Sequence, residues 1–242
     1  MSKCIVPISG GLDSTVLLHY AVKSGRFDNV YAVSFNYGQR HDKELLYAEK
    51  TVKELKIPHK VVDLRFFNSI ADTSSLTNPD IDVAKTRDVL GDAQTVNYVP
   101  FRNQMLLTIC SAMAESAGAD TVFHGAAQVD TQAGYWDGSE EFVDVVNNVT
   151  DLNRENRVVI EAPLLDMSKA EIIKEGARLG VKFKDTWTCY SDRKDKLADA
   201  TTPSSSMRVK GFVDAGLKDP IAYIQQEKLD KLYEENNCKE CA

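Results

Sequence analysis

Near its start the chain carries Ser9-Gly10-Gly11-Leu12-Asp13-Ser14, set between a short apolar run and a stretch of helical apolar spacing. These residue types suit an anion. Two glycines let main-chain N–H groups approach a phosphate closely, serine hydroxyls can donate to its oxygens, and a helix N-terminus adds the positive end of its dipole. Such a loop would grip a phosphate group and stabilise negative charge that develops on it. Asp13 adds a hard oxygen donor for Mg²⁺ on the phosphates. The competing reading is a plain Gly-Gly turn whose Asp13 and Ser14 favour the first turn of a helix. The segment is neither a Walker loop, since no Gly-Lys-Ser/Thr follows, nor a Gly-x-Gly-x-x-Gly dinucleotide turn.

The elements that must hold this loop follow from periodicity. Lys3 to Ile8 reads as a strand, with Pro7, which lacks a donor, marking its end; Leu12, Val16, Leu17, Ala21 and Val22 then recur at helical spacing up to Gly25. Strands are predicted over Val30–Phe35, Lys60–Leu64, Thr121–His124 and Val158–Ala162. Helices are predicted over Lys43–Leu55, Gln104–Ser116, Ser168–Leu179 and Ile221–Asn236. Asp166 or Ser168 would cap the third of these helices, with Glu171 three residues after Ser168. Strands alternating with helices predict an α/β protein: a Rossmann-like, doubly wound parallel sheet with helices on both faces. Asn68–Asn97 and Gln128–Asn156 are long, polar and weakly periodic and read as binding loops or lids, and Ser191–Ser206 is irregular as well. One domain over 1–242 is expected, with 186–242 as a C-terminal subregion.

Composition excludes several classes. A formal net charge of -7 leaves no broad basic surface for a nucleic-acid backbone. No run approaches the roughly 18–20 consecutive apolar residues of a membrane span, and Met1–Gly10 has no signal-peptide pattern. A cytoplasmic protein is expected. Five cysteines, Cys4, Cys110, Cys189, Cys238 and Cys241, are odd in number and scattered, which favours thiols or metal ligands over disulfides.

The Ser-Gly-Gly-x-Asp-Ser loop resembles that of the PP-loop pyrophosphatases, which split ATP between its α and β phosphates. Phe35-Asn-Tyr-Gly-Gln-Arg-His41, followed by Glu44-Leu45, narrows the resemblance to the 7-cyano-7-deazaguanine synthases of that group. Agreement continues through Ser74–Thr77, Val99-Pro100, Arg102-Asn103, His124-Gly125, Asp130, Gly134-Tyr135, Glu141-Phe142, Pro163-Leu164, Lys169–Glu171, Thr188–Tyr190, Arg208 and Gly211. The resemblance implies an ATP-dependent ligase that turns 7-carboxy-7-deazaguanine and ammonia into the nitrile, through an adenylated acid and an amide, for queuosine and related deazaguanine bases. It further implies a homodimer.

On this resemblance ATP meets Ser9, Gly10, Gly11, Leu12, Asp13, Ser14, Phe35, Tyr37, Gly38, Gln39, Arg102 and Gly125. Gln39, Arg40, Asp130, Gly134 and Tyr135 would frame the base and its acid, a carboxylate pairing with the guanine-like N–H edge and a ring stacking on the base. The expected catalytic set is Asp13, Arg40, His41, Arg102 and Lys169. Arg102 and Lys169 would meet phosphate or the developing acyl-phosphate charge, or else be solvated surface charges. His41 would shuttle a proton or make a structural hydrogen bond.

Two departures stand out. The family carries four zinc cysteines, one in a Thr-x-Cys-Tyr segment and three in a run before the segment that holds Arg208. Here Cys189 remains, and Asp199, Thr202 and Ser205 fall at the other three positions. Cys238-x-x-Cys241 has the spacing for one Zn²⁺, so a returning last helix would rebuild a site with Cys189, or the pair would be free thiols in a tail. Phe101 stands where the family usually has glycine, and a ring beside Arg102 is expected to reshape the pocket. These departures leave open a variant that stops at 7-amido-7-deazaguanine. A thiolase acting on tRNA and a catalytically silent ATP-binding module are the readings of other kinds; the acidic balance opposes the first and the joint retention of Asp13, Arg40, Arg102 and Lys169 opposes the second.

Overall fold

The computed structural model describes residues 1–37, 42–78, 80–82, 98–127, 135–153, 155–189 and 197–241. Among these, five strands form one sheet: β1 (Lys3–Pro7), β2 (Asn29–Asn36), β3 (His59–Asp63), β4 (Thr121–Phe123) and β5 (Val159–Glu161). Their order is β3-β2-β1-β4-β5 and every pairing is parallel. The chain winds outward from β1 on one side and then returns to wind outward on the other, the doubly wound arrangement expected from the alternating elements. Period-two geometry sends Cys4, Val6 and Ile8 into one core with Val16, Leu17, Ile172 and Phe183. Ile5 goes into the opposite core with Val33, Leu107, Val122 and Phe142.

Seven helices of two turns or more accompany the sheet among the described residues: α1 (Leu12–Lys23), α2 (Asp42–Leu55), α3 (Arg102–Ala117), α4 (Glu140–Thr150), α5 (Lys169–Arg178), α6 (Pro203–Ala215) and α7 (Gln226–Glu235). α5 opens with the anticipated capping box, Ser168 Oγ accepting from the Glu171 amide and Glu171 Oε2 accepting from the Ser168 amide at 2.8 Å. Pro7 is the last residue of β1, where its missing N–H costs the ladder least.

Three elements depart from the sequence reading. α4 lies inside the segment read as a long loop. Ser139 caps it, Phe142 and Val143 are buried, and the Asn147 side chain bonds both backbone groups of Ile160 at 2.8–2.9 Å, so a short helix is fixed by contacts that periodicity does not reveal. α6 falls largely beyond the irregular stretch and was not anticipated, although Pro203 at its start and Gly216 just past its end are helix punctuation. Its inward face includes Ser205 and Arg208, both buried, which blurs the apolar stripe. α7 begins at Gln226 rather than Ile221, because Ile221 and Tyr223 are spent on an extended, buried segment in which Tyr223 bridges to Ala198.

The β1-to-α1 corner fixes where α2 can lie. Gly10 has φ +88°, and a Cβ there would be driven into the carbonyl of Glu44 and the amide of Ala48 on α2. Backbone therefore packs on backbone at the loop. Gly10→Ala should lower stability by roughly 3 kcal/mol, combining left-handed strain with a backbone clash; chemical denaturation measures it, and a loss within error would refute the close approach.

Candidate active site

The corner at the carboxyl end of β1 is organised by its own side chains. Ser9 and Ser14 hydroxyls lie 3.1 Å apart, Ser14 Oγ accepts from the Ser9 amide at 3.2 Å, and Ser9 Oγ accepts from the Gly11 amide at 3.2 Å. Gly11 is the N-cap of α1 in extended conformation and supplies no capping side chain. The first amides of α1 are thus left for an anion. The Trp187 amide donates to the Gly10 carbonyl at 3.0 Å and ties the corner to the segment before α6.

A cavity of about 390 Å³ opens over this corner, where the strand order reverses between β1 and β4. Asp13, Glu44, Arg102, Lys169 and Arg208 bring charge to its wall, and Phe35, Tyr37, Gly125 and Tyr135 also line it. Lys169, the first residue of α5, places its ammonium 2.7 Å from both oxygens of Asp13, and both side chains are largely shielded. Gly211 on α6 makes room for it: a Cβ there would collide with the Lys169 stem. Arg102, the first residue of α3, sits with its guanidinium 6.0 Å from the Tyr37 ring centre.

Arg208 is buried beneath the cavity floor. It pairs with Asp219 through Nε at 2.7 Å and Nη2 at 3.0 Å, and it donates to Thr186 Oγ1, Thr188 Oγ1 and the Phe183 carbonyl at 2.8–3.1 Å. Tyr223 donates to the same Asp219 carboxylate at 2.7 Å. Burial works against the Arg208 charge and Asp219 more than restores it, so the guanidinium is held above its ordinary value. Glu44, buried in the first turn of α2, is opposite in character. Desolvation pushes its carboxyl up to about 7, while the positive charge of Arg102 pulls it back only in part.

The structure therefore gathers Ser9, Gly11, Leu12, Asp13, Ser14, Phe35, Tyr37, Arg102, Gly125, Tyr135 and Lys169 around one cavity, with Gly10 in the same corner. Gly38, Gln39, Arg40, His41, Asp130 and Gly134 lie outside the described residues. Sequence reasoning gave no role to Glu44 or Arg208, although both fell within matching segments; nothing in a lone acid or arginine reveals that it will be buried. His124 is buried with Nε2 2.9 Å from the Asp137 carbonyl and its ring against Phe142, and burial lowers its pKa, which suits a neutral structural partner.

Phe101 corrects an expectation. Its ring is exposed and packs edge-on against Trp136 at 5.7 Å, and it does not line the cavity. Its φ of +53° supplies the reason for the usual glycine there, because the turn into α3 runs through a left-handed residue.

The cysteines correct another. Cys189 lies at the N-terminal end of α6, with Sγ accepting from the Asp199 amide at 3.3 Å and 3.9 Å from Thr202 Oγ1. Cys238 directs Sγ toward the Val213 carbonyl near the other end of that helix, and Cys241 packs against the main core. The chain after α7 pairs Lys239 with Leu217, past the C-terminus of α6. About eleven helical residues, roughly 16 Å, thus separate the pair from Cys189, and the three thiols do not assemble. Among the described residues no three His, Cys, Asp or Glu side chains form a metal-binding group. Nor do the positions expected to replace the zinc cysteines suit a soft, thiolate-bound cation. Thr202 and Ser205 offer neutral hydroxyls 2.9 Å apart, and Asp199 Oδ1 already accepts from Thr201 and Gln225 at 2.7–3.0 Å.

A doubly wound parallel sheet with a cavity over its first strand-to-helix corner, where the Ser-Gly-Gly-x-Asp-Ser motif lies, places the chain among the PP-loop α/β enzymes. NMN synthetase from Francisella tularensis shares the fold, with a TM-score of 0.50 and 13% identity over 98% of this chain and 86% of that one. The model of the family described as queuosine biosynthesis protein QueC matches residues 3–216. A 7-cyano-7-deazaguanine synthase from Caldicellulosiruptor bescii is 42% identical over 224 residues, 91% of this chain and 97% of the relative. One from Thermoplasma volcanium is 37% identical over 243 residues, 98% of this chain and 96% of the relative. The chain belongs to the 7-cyano-7-deazaguanine synthase family.

The Glu44 carboxyl makes a signed prediction. Its folded pKa, about 7, lies above the ordinary 4.5, so this group favours folding most at low pH and loses that contribution as pH rises toward 7. Glu44→Gln should therefore be more stable than the parent at pH 8, by on the order of 2 kcal/mol, with the gap closing toward pH 5. Denaturant titrations at both pH values test this, and a gap that does not change with pH would count against it.

Proposed function

We propose that the chain joins ammonia to 7-carboxy-7-deazaguanine at the expense of ATP and carries the product on to the nitrile 7-cyano-7-deazaguanine. The observation that supports this best is the convergence of the Ser9–Ser14 corner with Arg102 and the Asp13–Lys169 pair on one cavity. The amides at the start of α1 hold the leaving pyrophosphate as the substrate carboxylate takes the adenylate. Lys169 and Arg102 offset negative charge as it builds on the phosphorus oxygens. Asp13 offers carboxylate oxygen to Mg²⁺ arriving with the nucleotide. Ammonia then displaces AMP to give the amide, and Glu44 is a buried carboxylate on the cavity wall able to take the proton released as the C–N bond forms. In a second activation the amide oxygen attacks the α-phosphate of another ATP and expels pyrophosphate, and AMP then leaves with that oxygen as the nitrogen gives up its two protons and the C≡N bond forms.

Tyr135 on the rim is suited to stack on the planar base, with Gln39, Arg40, Asp130 and Gly134 completing that side and His41 available for proton transfer. The chain is proposed to work as a cytoplasmic homodimer; Val145, Val149 and Leu152 give α4 and its end an exposed apolar stripe that a second copy would cover.

Incubation with 7-carboxy-7-deazaguanine, ammonium and MgATP, read by mass spectrometry, should show the amide pass to the nitrile with AMP and pyrophosphate released. Amide that accumulates without nitrile would establish the shorter reaction instead, and ATP turnover indifferent to the acid would favour a silent ATP-binding module. Lys169→Met should cut turnover by about 100-fold or more while leaving the melting temperature within a few degrees; a variant with parental turnover would remove Lys169 from the chemistry.

A further inference from the structure

The residues at the four positions of the family's zinc cysteines, Cys189, Asp199, Thr202 and Ser205, are neighbours in space. The Asp199 amide donates to Cys189 Sγ at 3.3 Å, and Thr202 Oγ1 lies 3.9 Å from that sulfur. Thr202 Oγ1 also contacts the Asp199 carbonyl at 3.0 Å and Ser205 Oγ at 2.9 Å. Cys189 and Ser205 are each 1% exposed, so the cluster is an interior one. Gln225, just before α7, closes it from outside: its Nε2 donates to Asp199 Oδ1 at 3.0 Å and its Oε1 accepts from the Ala200 amide at 3.1 Å.

We propose that this cluster is a metal-free clasp, a hydrogen-bonded knot that occupies the place of a zinc centre and makes the chain independent of zinc for folding. Two observations carry it besides the contacts themselves. The donor set is wrong for the metal: one thiol, two neutral hydroxyls and a carboxylate already engaged by Thr201 and Gln225. The thiols that would compensate are at the far end of α6, beside Val213 and the main core. The clasp does the mechanical task of a structural metal. It joins the end of the Trp187–Cys189 segment, the 198–202 turn and the start of α6, and that turn and helix start carry Pro203, Ser204, Met207 and Arg208 into the cavity wall. Ser204 Oγ adds a bond to the Thr188 carbonyl at 2.8 Å that secures the same junction.

Elemental analysis of the full-length protein, purified without chelator, should find zinc far below one ion per chain. Its melting temperature should not move on treatment with EDTA or a stronger zinc chelator. Stoichiometric zinc whose removal lowers the melting temperature would overturn the proposal. A gain-of-metal variant tests the geometry: Asp199→Cys/Thr202→Cys/Ser205→Cys, with the resident Cys189, should take up one Co²⁺ per chain with the thiolate charge-transfer absorption of a tetrahedral site, while the parent shows none. A folded triple variant that gives no such absorption would refute the equivalence of the four positions. Should the variant fail to fold with or without metal, the parent's metal content and chelator response decide alone. None of these readouts involves turnover, so the proposal stands or falls separately from the assigned reaction.

Discussion

A strand has to end and a helix begin within four residues, with the backbone of a second helix pressed on the bend: that constraint governs this molecule. Gly10 meets it by adopting φ +88° against the carbonyl of Glu44 and the amide of Ala48. The consequence is electrostatic. With α1 starting at Leu12 and no side chain capping its amides, the corner presents unpaired donors and the positive end of a helix at the mouth of the cavity.

The charged side chains differ sharply in how they are held. Asp13 and Lys169 form a shielded pair with solvent still in reach. Arg208 and Asp219 are fully interior, and a pair so buried recovers its desolvation penalty only because every polar atom has partners in Thr186, Thr188, Phe183 and Tyr223. The first arrangement suits chemistry and the second suits architecture. Glu44 falls between them: buried, facing Arg102, and titrating close to neutrality.

A structural zinc is worth on the order of 10 kcal/mol, whereas a hydrogen bond contributes about 1 kcal/mol net. The contacts around Cys189 therefore do not replace a metal bond for bond. On the proposal of a metal-free clasp, the difference would fall to the apolar cluster around them, in which Trp187, Ala198, Val209, Tyr223, Leu229 and Tyr233 are buried together. Ile221 and Tyr223, on the segment that leads into α7, and Leu229 and Tyr233 of the short α7 complete that cluster, so the C-terminal segment packs on the wall of the site.

Local signals carried much of this protein. The alternation of strands and helices, the tight Ser-Gly-Gly-x-Asp-Ser corner, the Ser168–Glu171 cap and the matching segments through the chain could be read without coordinates, because backbone conformation, tight turns and helix ends depend on residues close in sequence. Elements set by long-range contacts could not. α4 is fixed by Asn147 reaching β5, α6 hides its inward face behind buried Ser205 and Arg208, and Ile221 and Tyr223 pack extended where a helix was anticipated. The sequence by itself determined the kind of fold and the family. Only the tertiary structure decided that Glu44 is a buried acid, that Phe101 faces outward, and that Cys238 and Cys241 lie a helix length from Cys189. Desolvation and distance belong to the packed whole, and residues far apart in the chain acquire them only when they meet.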